Sequence, residues 1–540
     1  MNIAVRFDRI AARQPEAIAL ITGRAGKYRK RSFRELRETA DRFARTLVEK
    51  GVRRGDRVML MVGPSVEFVA LSFALFKIGA VVILIDPGMG LVNLRRCIGQ
   101  VAPWILIGSG KALLFKTLCP APFRSISRSF LAGAIGPWPG TFAAGRTRRA
   151  GEPQVGPLPA VACRATEAAA IIFTTGSTGP PKGVCYEHGM FQAQLHLIEK
   201  YYGIAPGDVD QPAFPLFALF STALGATAVL PEMDPARPAR VRPEKFVRTI
   251  LDHGVTYSFG SPAIWRKVSQ YCLAKGVTLP SLKKVLMAGA PVPGELVERV
   301  KRIIAPDGDI HTPYGATECL PIASMRGTDI LASTWSLTSR GQGVCVGRSL
   351  PGIDIRVIET SDGPIPGWRD ALELPAGQIG EIVARGPVVT RAYDHNDSEN
   401  RLAKIEDGNT FWHRLGDLGY LDEEGRLWFC GRKAHRVRTA GATLFTVCCE
   451  AIFNCHPEVH RTALVGVGEP GAQTPVLIAE PLVKPRQPER LLAELRHLGG
   501  EQSLTREISH FLLHPAFPVD IRHNAKIFRE KLAIWAAGQI

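Results

Sequence analysis

Short aliphatic and β-branched runs alternate with amphipathic stretches of helical period along most of the chain. Arg57-Val-Met-Leu-Met-Val62, Ala80-Val-Val-Ile-Leu-Ile85, Trp104-Ile-Leu-Ile107, Ala169-Ala-Ile-Ile-Phe173 and Lys284-Val-Leu-Met287 each suit a strand buried on both faces, as in a parallel sheet covered by helices. Strand and helix periods in alternation imply βαβ units, so the expected class is α/β. Val69–Ile85 is the most apolar stretch, but Lys77 and Gly79 divide it. It reads as a buried helix, a turn and a strand, not a membrane span. From about Ile353 the period changes to two, as in Gly380-Glu-Ile-Val-Ala384 and Arg426-Leu-Trp-Phe-Cys430, which predicts a β-rich subdomain. After Gly431-Arg432 come a helix at Val447–Asn454, a strand at Ala463–Val467 and a basic tail. The expected division is an N-terminal domain at 1–433, with stacked α/β subdomains plus the β-rich one, and a small α+β domain at 434–540. Pro120–Pro159, rich in Gly, Pro, Ser and Arg, reads as a long surface connection.

Composition narrows this picture without redirecting it. The chain has 540 residues, too many for one core, with 46% hydrophobic and 22% charged residues, the balance of a globular protein. Its net charge of +17 would suit a polyanion: nucleic acid, an anionic membrane face or ATP. No Lys/Arg run of five to eight residues, the kind that marks a nucleic-acid patch, occurs, and Arg146, Arg148 and Arg149 form only a short cluster, so nucleic acid is set aside. Eleven cysteines without a C-x-x-C pair indicate neither zinc nor a disulfide framework, and fit reduced thiols in a cytoplasmic protein. The first residues, Met1-Asn-Ile-Ala-Val-Arg6, lack the apolar core of a signal peptide.

The chemistry is concentrated in one loop. Ile171-Ile-Phe173 leads into Thr174, Thr175, Gly176, Ser177, Thr178, Gly179, Pro180, Pro181, Lys182 and Gly183. Glycines free the backbone N–H groups to approach phosphate oxygens, hydroxyls add donors and Lys182 adds a point charge. One such charge contact is worth roughly 4 kcal/mol before desolvation. The pattern is not G-x-x-x-x-G-K-[ST], because Pro181 precedes Lys182 and Gly183 follows it, so a P-loop NTPase is disfavoured.

This loop resembles the signature of the adenylate-forming superfamily of acyl-CoA synthetases, peptide-synthetase adenylation domains and luciferases. Further motifs carry the resemblance along nearly the whole chain: Ser32-Phe-Arg-Glu-Leu36, Lys77 to Pro87, Gly347-Arg-Ser-Leu-Pro-Gly352 and those that follow. The resemblance implies ATP and Mg2+ as cofactors and a small mobile C-terminal domain. It implies that Gly289, Ala290 and Pro291 flank adenine. Tyr314, Gly315, Ala316, Thr317 and Glu318 would place an aromatic ring on the base and an acidic ligand on magnesium, although this segment alone also reads as a helix N-terminus capped by Thr317. Asp417, in Arg414-Leu-Gly-Asp-Leu-Gly-Tyr420, would accept the ribose hydroxyls, with Arg432 beside it. Lys526 would reach the reacting carboxylate and the α-phosphate. Lys526, Thr317, Glu318 and Lys182 are thus the implied catalytic set.

Three sites depart from the family pattern: Ala218 where histidine is frequent, Ala434 where the hinge often has Asp or Lys, and the pair Asn524-Ala525 where Ser-Gly is usual. Thr439-Ala-Gly441 keeps the glycine expected beside a pantetheine tunnel. Phe217–Leu230 reads equally as the wall of an alkyl channel or as core. His188, a lone histidine after the phosphate loop, reads as structural. Phe214 to Leu224 and Val519 to Ile527 look like the olefin β-lactone synthetases of bacterial hydrocarbon synthesis. That resemblance implies a long-chain 2-alkyl-3-hydroxy fatty acid as substrate, and a thiolase-like condensing enzyme, a ketone reductase and a lactone decarboxylase as pathway partners. A fatty acyl-CoA ligase is the alternative within the superfamily, and a non-catalytic basic scaffold or nucleic-acid-binding protein the remote alternative outside it. The basic surface also suits peripheral membrane contact.

Overall fold

The computed structural model describes residues 2–24, 26–133, 141–143, 156–174, 179–520 and 526–540. Thr175, Gly176, Ser177 and Thr178 of the phosphate loop, and Asn524-Ala525, lie outside the described residues. The fold is α/β, and the described residues form two large sheets and two small ones, of three and two strands.

The first sheet follows directly from the apolar runs. Its strands are β1 (Arg57–Met61), β2 (Val81–Leu84), β3 (Ile105–Gly108), β4 (Arg128–Leu131), β5 (Ala168–Phe173) and β6 (Gly183–Glu187), in the order β4-β3-β1-β2-β5-β6. All pairs are parallel except β5 with β6. The helices α1 (Val66–Ile78), α2 (Leu91–Val101) and α3 (Gly110–Leu118) make the crossovers. Gly79, at φ +72°, caps α1 in the left-handed region, where a residue with a Cβ is strained. Lys77 near the end of α1 is fully buried, and its ammonium is paired with Asp8 and Asp41, which is how so apolar a helix tolerates it. The long surface connection is only partly that. Arg128–Leu131 extends the sheet as β4, and Phe142 is buried against Phe43 and Phe130.

The second sheet runs from parallel strands at Val209–Asp210, Tyr257–Gly260 and Lys284–Met287 into the antiparallel hairpin Asp309–Ala316 and Cys319–Arg326. Val344–Ser349 pairs with both that hairpin and Leu427–Arg432, so the β-rich region is hydrogen-bonded into the same sheet. Thr410–Leu421 pairs with Leu427–Arg432, with Lys404–Asp407 and with Gly380–Arg385.

Beyond residue 434, three strands, Val459–Val467, Thr474–Pro481 and His510–Leu513, pack with helices Thr446–Phe453, Pro488–Gly500 and Arg529–Ala537. Their apolar clusters contain residues from this segment only. Charged contacts join this unit and its connection to the rest. Lys433 Nζ donates to Glu381 Oε1 at 2.9 Å and to the Ser361 carbonyl, and Arg436 grips both oxygens of Asp362. Glu381 is in turn held by the buried Arg414. The anchor therefore sits at Lys433, next to Ala434.

Candidate functional site

Parallel pairing of β2 with β5 brings the turn after β2 and the loop after β5 to the same edge of the first sheet. The phosphate loop spans a hairpin, β5 to β6, whose base is fastened twice: Lys182 N–H donates to Thr174 Oγ1 at 3.1 Å, and Thr174 N–H donates to the Lys182 carbonyl at 3.0 Å. A Cβ added to Gly179 would meet no atom of the described residues within 4 Å.

The tip of the Asp309–Ala316 and Cys319–Arg326 hairpin lies against β6, the strand that follows this loop. Residues 314–318 form a strand end and tight turn, not the helix N-terminus that Thr317 alone permitted. A Cβ on Gly315 would lie 2.3 Å from the Cys319 carbonyl oxygen, so the turn closes only with glycine there. Tyr186 of β6 donates its hydroxyl to the Thr317 carbonyl at 2.6 Å. Tyr393 donates to Glu318 Oε1 at 2.8 Å while the ammonium of Lys182 lies 5.2 Å from the centre of its ring. Glu318 is buried, and its Oε2 has no hydrogen-bond donor among the described residues. Lys182 is also paired with Glu399, Nζ to Oε2, at 2.5 Å.

A second focus lies on the antiparallel pair Thr410–Leu421 and Leu427–Arg432, where Asp417 and Arg432 stand directly opposite. Tyr314 donates its hydroxyl to Asp417 Oδ2 at 2.6 Å, and the Arg432 guanidinium stands 2.9 Å from Oδ1. The same guanidinium nitrogen also donates to the Leu415 carbonyl, so Asp417 is a buried carboxylate held at Oδ2 by Tyr314 and at Oδ1 by the charge of Arg432. Burial raises the Asp417 carboxyl above the usual range, against the pull of Arg432, the Tyr314 hydroxyl and the charge of Lys526. Burial likewise pushes the Tyr314 hydroxyl well up, with Asp417 adding to it. Arg432, held by Asp417 against burial, also feels Glu318, so the two foci adjoin.

Lys526 comes from the C-terminal unit. It precedes the helix Arg529–Ala537 instead of lying in it, and is fixed by Lys526 N–H to Asp520 Oδ1 and Asp520 N–H to the Lys526 carbonyl, each 3.0 Å. Gly289, Ala290 and Pro291 follow the strand Lys284–Met287, which pairs with the strand Asp309–Ala316 that carries Tyr314. Phe217–Leu230 divides: Ala218 to Leu230 is mostly core, while Phe217 is half-buried and stacked on Phe259 at 4.1 Å between ring centres. His188 is buried edge-on to Phe76, with neither ring nitrogen hydrogen-bonded and burial pushing it down to about 4. It is structural.

Four neighbours of the site are not apparent from local sequence. Tyr186, Tyr393 and Glu399 reach it from separate segments. Behind Glu318 lies Lys404, whose ammonium contacts the Thr390 carbonyl and lies 3.1 Å from His413 Nδ1. Burial pushes Lys404 down to about 8, and burial beside Lys404 pushes His413 well below its usual range. The one sequence signal was a lysine inside the apolar run Leu402-Ala-Lys-Ile405.

The donor set fits a nucleotide and one divalent ion. The buried carboxylate of Asp417, ion-paired with Arg432, has acceptor capacity beyond its present contacts and suits a sugar hydroxyl. Among the described residues no cluster of three or more His, Cys, Asp or Glu could hold a metal by itself. An ion here would take one carboxylate from the chain and the rest from phosphate oxygens and water, the habit of Mg2+.

Residues 7–394 match the family model described as AMP-binding enzyme. The chain is 44% identical over 100% of its length to an olefin beta-lactone synthetase of Xanthomonas campestris pv. campestris, covering 98% of that protein. It is 42% identical, with the same coverages, to an olefin beta-lactone synthetase of Stenotrophomonas maltophilia. Its fold is similar to that of O-succinylbenzoate Coenzyme A synthetase from Bacillus subtilis in complex with ATP and magnesium ion, at TM-score 0.74 and 20% identity over 98% of both chains.

Proposed function

Because the chain belongs to the AMP-binding enzyme family, we propose that it activates a long-chain 2-alkyl-3-hydroxy fatty acid with ATP and closes it to a β-lactone, releasing pyrophosphate and then AMP. The activity class is that of an ATP-dependent, AMP-forming ligase. The likeness to two olefin beta-lactone synthetases over the whole chain, and not over the nucleotide motifs alone, carries the finer reading.

In this reading the backbone of residues 174–179 and the Lys182 ammonium receive the β- and γ-phosphates. Gly289, Ala290 and Pro291 border adenine, Tyr314 lies along the base, and Asp417 Oδ1 accepts a ribose hydroxyl beside Arg432. Glu318 and the Thr317 turn would hold Mg2+, which when bound neutralises charge between the phosphates. A carboxylate oxygen of the substrate attacks the α-phosphorus, and the bond to pyrophosphate breaks. Lys526 offsets the charge on the α-phosphoryl oxygens at that moment. The substrate's own 3-hydroxyl oxygen then attacks the acyl carbon, its proton leaves, and the acyl C–O bond to AMP breaks. Well-oriented intramolecular groups reach effective molarities of roughly 10⁵ to 10⁸ M, so no second substrate is required.

The stacked rings of Phe217 and Phe259 would border the alkyl chain, and residues 434–540 would be the mobile domain that delivers Lys526. The enzyme would work in the cytoplasm, where its free cysteines stay reduced. Its neighbours in the pathway would be a thiolase-like condensing enzyme, a ketone reductase and a lactone decarboxylase, with the long-chain acid arriving from a lipid phase. The test is product analysis with a 2-alkyl-3-hydroxy acid, ATP and Mg2+ in the absence of CoA. Lactone and AMP in equal amounts are expected. Thioester formed only when CoA is added would replace the lactone reading by that of an acyl-CoA ligase, and absence of pyrophosphate release would overturn adenylation itself.

A further inference from the structure

Between Asp86 and Glu152 the chain has no acidic residue and nine basic ones, more than half of the net charge of +17. The described part of this segment builds α2, β3, α3 and β4 at one end of the first sheet. Both crossovers, β2-α2-β3 and β3-α3-β4, step in the same direction along parallel strands. Right-handed connections therefore put α2 and α3 on the same face, and one apolar cluster joins them beneath. Helix α2 buries Leu94, Cys97, Ile98 and Val101 and turns Val92, Arg95 and Arg96 outward. Helix α3 buries Ala112 and turns Lys111, Leu114 and Leu118 outward.

This outer surface is both apolar and cationic. Val92 is 83% exposed and Leu118 71%, with Leu91 and Leu114 also exposed. Among the described residues, Arg95, Arg96, Lys111 and Arg124 have no acidic partner. Surface leucines scattered singly are ordinary, but four large aliphatic side chains on two adjacent helices, among uncompensated cations, are not. Nucleic acid would neutralise the charge and leave the aliphatic groups in water. An anionic bilayer satisfies both, since acyl chains take up Val92, Leu114 and Leu118 while headgroups pair with the cations.

We propose that the α2–α3 flank is a docking surface for membranes containing anionic phospholipid. No helix among the described residues is long and apolar enough to cross a membrane, so the contact is peripheral. The turn into α2 leaves the same sheet edge as the phosphate loop, so a docked protein holds that edge near the bilayer. The proposed lipid-like substrate explains only why this is useful. The docking itself rests on the surface.

The experiment is flotation of the full chain, without ATP, with vesicles of phosphatidylcholine alone or with phosphatidylglycerol. Binding to the phosphatidylglycerol vesicles that weakens with added salt is expected. Arg95→Gln/Arg96→Gln and Val92→Glu/Leu118→Glu should each weaken it by on the order of tenfold or more. Arg369→Gln, whose side chain is 93% exposed on the β-rich region, should not. Pyrophosphate release with a water-soluble short-chain 3-hydroxy acid should be equal in all variants, which separates loss of docking from loss of fold or of adenylation. Failure to float with phosphatidylglycerol, equal binding to both vesicles, or wild-type binding by both flank variants would overturn the proposal. So would capture of a soluble acidic protein by this flank with vesicle binding unaffected by either variant.

Discussion

Lys182 Nζ lies 2.5 Å from Glu399 Oε2, so if Lys182 receives the triphosphate as proposed, the nucleotide has to displace a carboxylate partner already in place. Both side chains are about 30% exposed, and a partly exposed pair is worth about 0–1 kcal/mol. Glu399→Gln should therefore lower the KM for ATP by up to about fivefold while changing kcat little, as measured by pyrophosphate release. A raised KM would mean that Glu399 orients Lys182 for phosphate instead of competing for it.

The second prediction concerns the Tyr314 to Asp417 hydrogen bond. Tyr314→Phe leaves a buried carboxylate oxygen without its donor, a loss of about 1–3 kcal/mol. That hydroxyl also lowers the Asp417 carboxyl, which burial has raised. In the proposed reading the ionised form is the one that accepts the ribose hydroxyl. In Tyr314→Phe, ATP affinity should therefore fail at a higher pH than in wild type as the solution is acidified. Calorimetric titration of ATP across the acid range checks this, and parallel pH profiles would refute it.

Lys526→Ala should reduce pyrophosphate release by about 10² to 10³-fold, with the Kd for ATP within about threefold of wild type. Unchanged turnover would remove this lysine from the mechanism. A large loss of ATP affinity would make it a binding residue.

Lys404 offers a test of stability against pH. Burial pushes its ammonium down from 10.5 to about 8. Between those values the unfolded chain binds more protons than the folded one, so this group makes stability rise with pH from about 8 to about 10.5. Below about 8 its penalty is constant. Lys404→Met should abolish this contribution to the slope of Tm against pH, with a difference of about 3 kcal/mol accumulating across the window. Identical slopes in variant and wild type would show that the ammonium is not desolvated.

Much of the architecture was legible because buried strands advertise themselves. Arg57–Met61, Val81–Leu84 and Lys284–Met287 lie within the apolar runs that predicted them, since a strand covered on both faces has nowhere to put polar residues. The break at Gly79 was legible for a similarly local reason. What sequence could not show was assembly across distance. Tyr186, Tyr393 and Glu399 join Thr317, Glu318 and Lys182 only through sheet and loop contacts, and nothing in their neighbourhoods marks them. Residues 128–131 and Phe142 were hidden for the opposite reason, since a Gly/Pro/Ser-rich composition masks a short edge strand and a single buried ring. The antiparallel link from Cys319–Arg326 through Val344–Ser349 to Leu427–Arg432 was equally invisible, because a change of period marks where a pattern alters and not whether the sheet continues.

Asp417 and Arg432 are opposite each other on one hairpin, and this pairing ties the site to the backbone ladder. Their spacing is inherited from the zipper of peptide groups between the strands, so neither side chain has to search for the other after folding. The turn at Asp422 to Arg426 thus acts as a ruler: adding or deleting one residue there would send Arg432 to the opposite side of the sheet. Engineering that aims to retune this enzyme has freedom in the surrounding loops, but must leave the length of that turn untouched.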